Sequence, residues 1–520
     1  MSGTGVAATR TVANGGVGAV RVGNRIGGTI VDSGNAWFDS VNPARPAEVL
    51  ATLPDSSAAV VDEAVAAAAD AQRSWAEVPI PARAELIAAR LDQHLARLAA
   101  DQLGQLGLAL GEHLGGDVQE AVDMGRFVAG QGRAALGQTV PSELANKMAW
   151  TTRHPVGVVG MITPWNFPVA IPSWKIFPAL LAGNGVVLKP SELAPWCAER
   201  FVECLVEAGI PAGLLNVGHG HGEPGAAIAT RPGVGAVSFT GSVPTGRKVA
   251  AAAMAAGPKL VSLELGGKNG MVVMADADLE LAADGALFGA FGTSGQRCTS
   301  TSRLIVHRDV ADDLVERIAA LATKLTLGDP TDPATDVGPV IDARSQERIL
   351  GMVTEAVDAG AEVVLGGRAL EVSGCPGGSF VHPTILRADR SNPIARAEVF
   401  GPVLAVLVVD DLEDAVEVVN DTEYGLSAAV YTRDINAALW AVDHIDTGIV
   451  YVNAPTIGAE IPLPFGGNKH TGNGFREAGT RGIEQFSQVK TVYVDYSGRL
   501  QRAQIDNRPE VSADSAGGPT

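Results

Sequence analysis

The chain is poor in cysteine, poor in aromatic residues and without any long apolar run. Its 520 residues hold four cysteines, Cys197, Cys204, Cys298 and Cys375. None has the paired spacing of a zinc or redox site, and so few in so long a chain argue for reduced thiols rather than a disulfide framework. Aromatic residues make up 5%. The hydrophobic fraction is 46%, yet apolar runs such as Ala64 to Ala69 or Val403 to Val409 are far too short to cross a bilayer. Basic residues are outnumbered, 39 Lys and Arg against 58 Asp and Glu, for a net charge of −19. Such a surplus repels nucleic acid and anionic membranes, so neither is expected as a partner. Arg10 is followed by Gly-rich sequence with no apolar core of a secretory signal, and a cytoplasmic protein is expected. The length calls for two or more lobes with a site between them, which suits an enzyme.

Residues 1–35 read as a loose tail. Ala58 to Ala76 and Pro81 to Leu110 carry Ala, Leu and charges at helical spacing, so the first hundred structured residues read as mainly helical. From Val156 the pattern changes to short β-branched runs cut by Gly and Pro: Val156 to Ile162, Gly185 to Lys189, Leu214 to Val217 and Ala236 to Phe239. Helical stretches, Ala194 to Ala208 and Gly246 to Ala256, lie between them, and this alternation predicts a parallel α/β sheet. A second alternating series starts near Asn269, with strands at Met271 to Met274 and Arg303 to Val306 and helices at Leu279 to Phe288 and Val310 to Leu325. It predicts a second α/β lobe. Gly498 to Thr520 is polar and reads as a peripheral tail. No repeat of fixed period stands out.

Four short segments far apart carry the chemistry: PWNFP at Pro164 to Pro168, ELGGK at Glu264 to Lys268, FGTSGQRCT at Phe291 to Thr299 and EVFGP at Glu398 to Pro402. With KPSE at Lys189 to Glu192, SFTGS at Ser238 to Ser242 and PFGG at Pro464 to Gly467, they resemble the aldehyde dehydrogenase superfamily over residues 38–497. The spacing from Glu264 to Cys298 is also the family's. Oxidising an aldehyde by hydride transfer first needs a tetrahedral adduct, because the planar carbonyl carbon is a poor hydride donor. A thiol supplies that adduct. A cysteine taken alone reads as structural; within this constellation Cys298 reads as the nucleophile. It follows the stretch Gly292 to Gly295, where backbone can approach a substrate, and a helix N-terminus there would lower its pKa from ~8.5. The resemblance implies the Asn166 amide and the Cys298 backbone N–H as oxyanion donors. It implies Glu264 as the base that hydrolyses the thioester, and Glu477 with Lys175 as a proton relay.

Gly220, Gly222 and Gly225 spell a dinucleotide fingerprint after Leu214 to Val217. Such a motif wants an acidic residue ~20 positions on for the ribose, and from Pro224 to Leu263 there is no Asp or Glu. The resemblance places the pyrophosphate instead at Thr240, Gly241 and Ser242, at a helix N-terminus that favours anions. It gives the adenosine ribose to Lys189 and Glu192 and the nicotinamide ribose and ring to Glu398 and Phe400, and sets Trp165, Ser191 and Leu265 among the cofactor-binding residues. A carboxylate at Glu192 would repel a 2′-phosphate, so NAD is expected, with NADP as the alternative. His219 and His221 lack a third ligand at useful spacing, and no metal is expected. His307-Arg308-Asp309 echoes a kinase loop without its downstream Asn. Cys197 and Cys204 sit at helical spacing beside Phe201 and Leu205 and read as core.

The resemblance lines an aldehyde tunnel with Phe167, Ile171, Trp174 and Phe465, and sets Arg297 and Thr299 beside the nucleophile. Arg297, the loop Thr456 to Leu463 and the stretch Asp117 to Asp123, where Glu120 could meet an amino group, resemble the α-aminoadipic semialdehyde branch. Pro462 and Leu463 depart from that branch's small residues. General aldehydes are therefore the expected substrates, with an acidic semialdehyde of α-aminoadipic or succinic type as the alternative. A CoA-acylating relative would commonly lack Glu264, and a binding protein would not need Cys298, Asn166 and Glu264 together. The implied fold is α/β: a Rossmann-like cofactor lobe (36–140 and 155–264), an α/β catalytic lobe (265–470) and a β oligomerisation arm (141–154 and 480–497). The arm rests on the strand-like stretches Met148 to Arg153 and Gln488 to Tyr496, and implies a homodimer or homotetramer.

Overall fold

The computed structural model describes residues 19–89, 113–134 and 137–505. Two seven-stranded sheets carry the molecule. The first runs in the order Leu260–Glu264, Val234–Thr240, Val158–Ile162, Gly185–Lys189, Leu215–Val217, Asn24–Ile26, Thr29–Val31, and its first five strands are parallel. The second runs Glu362–Leu365, Thr384–Arg387, Val403–Val409, Thr301–His307, Asn269–Val273, Ser427–Tyr431, Ile449–Val452, parallel except at its first pair. Helices cover both faces, so central strands such as Gly185–Lys189 and Asn269–Val273 are buried at every residue. Runs of Val and Leu without polar alternation are what such strands require.

The beginning of the chain corrects one expectation. Residues 20–31 are not a tail: Asn24–Ile26 pairs antiparallel with Leu215–Val217 and extends the first sheet. Arg25 is locked there by a buried 2.6 Å ion pair with Glu199, and Gly27 N donates to Asn216 Oδ1 at 2.9 Å. After them Ala36–Asn42 and Arg45–Asp55 form an antiparallel ribbon that precedes the expected helices. Ala51 and Leu53 alternate inward along it, a period-two signal too short to compete with the helical stretch that follows. That stretch forms the helices Ala58–Glu77 and Ile80–Ala88. The remainder of the expected helix to Leu110 lies outside the described residues.

Lys147–Pro155 and Ser487–Asp495 pair antiparallel along nine residues, and Thr139–Pro141 adds a third strand. This ribbon leaves Met148, Val489, Tyr493 and Tyr496 exposed. The start of the polar C-terminal segment is tied to it, Gln501 Nε2 donating to Ala145 O at 2.8 Å; residues 506–520 lie outside the described ones. Cys197 and Cys204 are buried in the helix Pro195–Glu207, as core residues. Among the described residues no helix is long and apolar enough to cross a membrane.

The connection between the sheets sets up the site. Glu264 ends the edge strand of the first sheet and Asn269 begins a central strand of the second, so Leu265 to Lys268 must link the two sheets. The passage is narrow: a Cβ at Gly266 would strike the Glu398 carboxylate, and one at Gly267 would strike Cys298 O. Only glycine permits backbone this close to both groups.

Candidate active site

A cavity of about 600 Å³ opens at this junction. Cys298, Glu264 and Glu477 line it together, with Phe167, Ile171, Trp174 and Phe465 as the apolar wall and Arg297 and Thr299 flanking the thiol. Trp174 and Phe465 meet edge to face at 5.0 Å. The helix Ala170–Ala182 that carries Ile171 and Trp174 begins against the buried carboxylate of Asp117, which accepts from Val169 N at 3.2 Å and Ala170 N at 2.7 Å. A carboxylate at a helix N-terminus satisfies otherwise orphaned amides. Burial pushes the Asp117 carboxyl up to about 7 despite those two bonds.

The turn that presents the thiol differs from the expectation in two ways. Gly292 to Gly295 does not face the cavity. It forms a tight turn packed on protein, in which Thr293 and Ser294 both have φ of 54° and a Cβ at Gly295 would strike Gly401 O. Left-handed Thr and Ser each cost on the order of 1 kcal/mol or more, so the surroundings must hold them. Ser294 Oγ donates to Gly338 O at 2.7 Å, and Ile341 N donates to Gln296 Oε1 at 3.0 Å. No helix begins at Cys298; the chain passes from this turn into the strand Thr301–His307. The expected lowering of the thiol pKa is therefore reversed. Burial, with the carboxylates of Glu398 and Glu264 adding to it, pushes Cys298 up to about 12.

Glu264 is 2% exposed, and neither carboxylate oxygen has a hydrogen-bond partner. Burial, reinforced by Glu477, holds its carboxyl well above the ordinary range, against the pull of Lys175 and Arg476. Glu477 is paired with the buried Lys175, whose ammonium also donates to Ser238 Oγ at 2.8 Å. Glu477 is set opposite Phe465 by two backbone bonds of 2.7 and 2.8 Å. Asn166 is buried, and its Nδ2 donates to Gln296 O at 3.0 Å, which places the amide beside the turn that precedes Cys298, with one N–H remaining.

The groups assigned to a dinucleotide lie at the C-terminal ends of strands of the first sheet and in a small cleft nearby. Ser242 precedes the helix Val243–Ala255, whose first amides have no side-chain cap, and Thr240 Oγ1 is buried without a partner. Lys189 Nζ lies 2.9 Å from Glu192 Oε2, and Ser191 Oγ accepts from Leu193 N. Burial raises the Glu192 carboxyl, but Lys189 and a backbone hydrogen bond together outweigh it and the net shift is downward. Glu398 and Phe400 line a small cleft with Gly267 and Ser300, Trp165 packs on Phe400 at 5.6 Å, and Glu398 accepts from Gly267 N. By contrast the Gly220-Gly222-Gly225 turn is filled from within. Asp55 accepts from His221 N at 3.0 Å and pairs with its ring, a carboxylate where a phosphate would be repelled.

The sequence model described as the aldehyde dehydrogenase family matches residues 30–492, nearly the whole chain. The chain belongs to the aldehyde dehydrogenase family. It is 38% identical over 459 residues to the alpha-ketoglutaric semialdehyde dehydrogenase of Bacillus subtilis (strain 168), covering 87% of this chain and 93% of that protein. Its fold is similar to an NAD-dependent aldehyde dehydrogenase from Sinorhizobium meliloti, with a TM-score of 0.89 and 38% identity over 93% of this chain and 96% of that one. PnpE, solved in complex with nicotinamide adenine dinucleotide, matches with a TM-score of 0.89 and 34% identity over 92% of this chain and 98% of that chain.

Within this aldehyde dehydrogenase the two stretches that resemble the semialdehyde branch both reach the cavity, Gln119, Glu120 and Asp123 from the first and Gly458 to Pro462 from the second. Phe127, which sequence reasoning missed, joins them in the lining. Burial, with Asp117 adding to it, pushes the Glu120 carboxyl up to about 8 although Arg297 pulls it down. Gln296 and Asn269, with Thr456 of that loop, brace the turn around Cys298. No local pattern marks them, because their partners are distant in sequence.

Proposed function

We propose that this aldehyde dehydrogenase oxidises an aldehyde to a carboxylate with NAD, through a thioester on Cys298. The observation that carries the reading is the convergence of the thiol with Glu264 and Glu477 on one cavity. Cys298 adds its sulfur to the carbonyl carbon, and the oxyanion is met by the Asn166 amide and the Cys298 backbone N–H. NAD, when bound, supplies the hydride acceptor, and departure of hydride from the adduct leaves the thioester. The thiol proton goes to Glu264 or to water. Glu264 then takes a proton from water as it attacks the thioester, releasing the acid and the thiol. Lys175 and Glu477 lie behind Glu264 as the path by which that proton leaves. The overall balance is aldehyde, NAD⁺ and water to carboxylate, NADH and two protons. The uncapped helix after Ser242, the orphan Thr240 hydroxyl and the Lys189 and Glu192 pair fit a dinucleotide, and the Glu192 carboxylate favours NAD over its 2′-phosphate form.

A second, narrower reading takes an acidic semialdehyde as the substrate. Arg297 lines the cavity next to Cys298, and Glu120, neutral at pH 7 with its carboxyl near 8, does not repel a carboxylate there. The Bacillus subtilis relative, whose name specifies a semialdehyde bearing a carboxylate, supports it. NADH formation is to be followed with propanal, benzaldehyde, succinic semialdehyde and α-ketoglutaric semialdehyde, with and without coenzyme A. The acid-bearing aldehydes should exceed propanal in kcat/KM by about tenfold or more, since a charged pairing is worth about 1.5–3 kcal/mol. Equal values across the panel would remove the acidic reading, and a requirement for coenzyme A would remove hydrolysis.

The exposed apolar residues of the three-stranded ribbon support assembly into a dimer or tetramer of closed symmetry. Light scattering at micromolar concentration should find such a particle. A monodisperse species near the chain mass of 53.4 kDa would show the ribbon to be an element of the single subunit.

A further inference from the structure

We infer that Asn269, acting with Thr456, is a positioning residue that fixes the angle at which Cys298 presents its sulfur. The inference rests on the reading of Cys298 as nucleophile. Three successive carbonyls of the nucleophile segment are held by side chains rather than by regular secondary structure. Asn269 Nδ2 donates to Cys298 O at 2.8 Å and to Ser300 O at 2.9 Å, and Thr456 Oγ1 donates to Thr299 O at 2.7 Å. The two braces are joined to each other. Ser427 N donates to Asn269 Oδ1 at 3.1 Å, and Ser427 Oγ donates to Thr456 O at 3.0 Å. Asn269 is 2% exposed, and Thr456 and Ser427 are likewise buried.

The geometry has a specific consequence. Fixing the carbonyl of Cys298 fixes the backbone torsion on its C-terminal side, while the left-handed turn at Thr293 and Ser294 fixes the approach from the other. The sulfur is then left with only its own side-chain rotation. Asn269 begins a strand of the second sheet and directly follows the glycine link from Glu264, so one short segment carries the proposed base at one end and the brace of the nucleophile at the other. Both N–H groups and the carbonyl of the amide are used, so a side chain with fewer donors cannot replace it. Thr456 belongs to the loop that supplies Gly458 to Pro462 to the cavity, so the wall that meets the substrate and the turn that attacks it are one hydrogen-bonded body. A misplacement of about 1 Å in such a site costs on the order of 100-fold in rate.

The test is single-turnover NADH formation with enzyme and NAD in excess over propanal, or over the fastest substrate of the panel above. This reports the adduct and hydride steps rather than hydrolysis. Asn269→Ala and Thr456→Val are expected to lower that rate constant roughly 10- to 100-fold, with the Kd for NAD, read by tryptophan fluorescence, within about twofold of wild type. Thr456→Ser, which keeps the hydroxyl, should recover most of the rate and guards against loss of folding in the Asn269 variant. A merely structural role would lower Tm and the fraction of active enzyme but leave the single-turnover rate constant of the folded fraction unchanged, and that outcome overturns the inference. Cys298→Ala is run alongside. If it retains turnover, the nucleophile reading has failed; if it is inactive while both brace variants react at the wild-type rate constant, the inference alone has failed.

Discussion

Replacement of Cys298 by alanine should reduce aldehyde-dependent NADH formation to below about 1% of wild type, because without a thiol no tetrahedral adduct forms. Binding of NAD should stay near normal, since the groups that fit the dinucleotide, from Thr240 and Ser242 to Lys189, Glu192 and Glu398, lie on other elements. Turnover by the alanine variant above that level would remove Cys298 from the mechanism. The environment of the thiol adds a check that uses the wild-type chain. With burial and the Glu398 and Glu264 carboxylates pushing it up to about 12, the sulfur is a neutral thiol at pH 7 in the protein alone. Only thiolate is alkylated. Carbamidomethylation of Cys298 in the absence of NAD should therefore rise about tenfold per pH unit from pH 7 to 10, without the plateau that a thiol of ordinary pKa (~8.5) would show.

Much of the fold was legible because its central strands are apolar on both faces and punctuated by glycine. Gly185–Lys189 has the same bounds in sequence and structure, and the helix and strand series around Asn269 to Leu325 follows the predicted alternation. The N-terminal strands were not legible. Asn24–Ile26 has three residues, and what makes it a strand is the edge of a sheet nearly two hundred positions away, with a buried Arg25–Glu199 pair as its anchor. The site shows the same division. Cys298, Glu264, Glu477 and the aromatic wall come together as their motifs implied. The thiol environment did not, because neither the left-handed Thr293 and Ser294 nor the burial that raises the sulfur's pKa leaves a mark in local composition. A β-branched residue at positive φ is disfavoured by its own sterics, so only the packed surroundings reveal it. Asn269 was passed over for a related reason: it read only as the start of the second strand series, and the three partners of its amide are set by tertiary structure alone.

Replacing Glu264 by glutamine should separate the two halves of the reaction. Glutamine keeps the size and hydrogen-bonding shape of the side chain but cannot take a proton from water, so adduct formation and hydride departure should survive while hydrolysis fails. The expected record is a burst of NADH approaching one equivalent per subunit, followed by a steady rate lowered on the order of 10²- to 10⁴-fold, the usual worth of a general base. The pH dependence gives the same residue a second signature. Burial, with Glu477 beside it, holds the Glu264 carboxyl well above its ordinary range, and its two oxygens have no partner that would favour the ionised form. The working base is the carboxylate, which is scarce below that raised pKa and abundant above it. Wild-type hydrolysis should accordingly rise with pH through that raised pKa, above the range of an ordinary carboxyl, and this limb should vanish in Glu264→Gln. A glutamine variant with the full steady-state rate at neutral pH, or one that gives no burst at all while still binding NAD, would show that Glu264 does not act as the base of the second half-reaction.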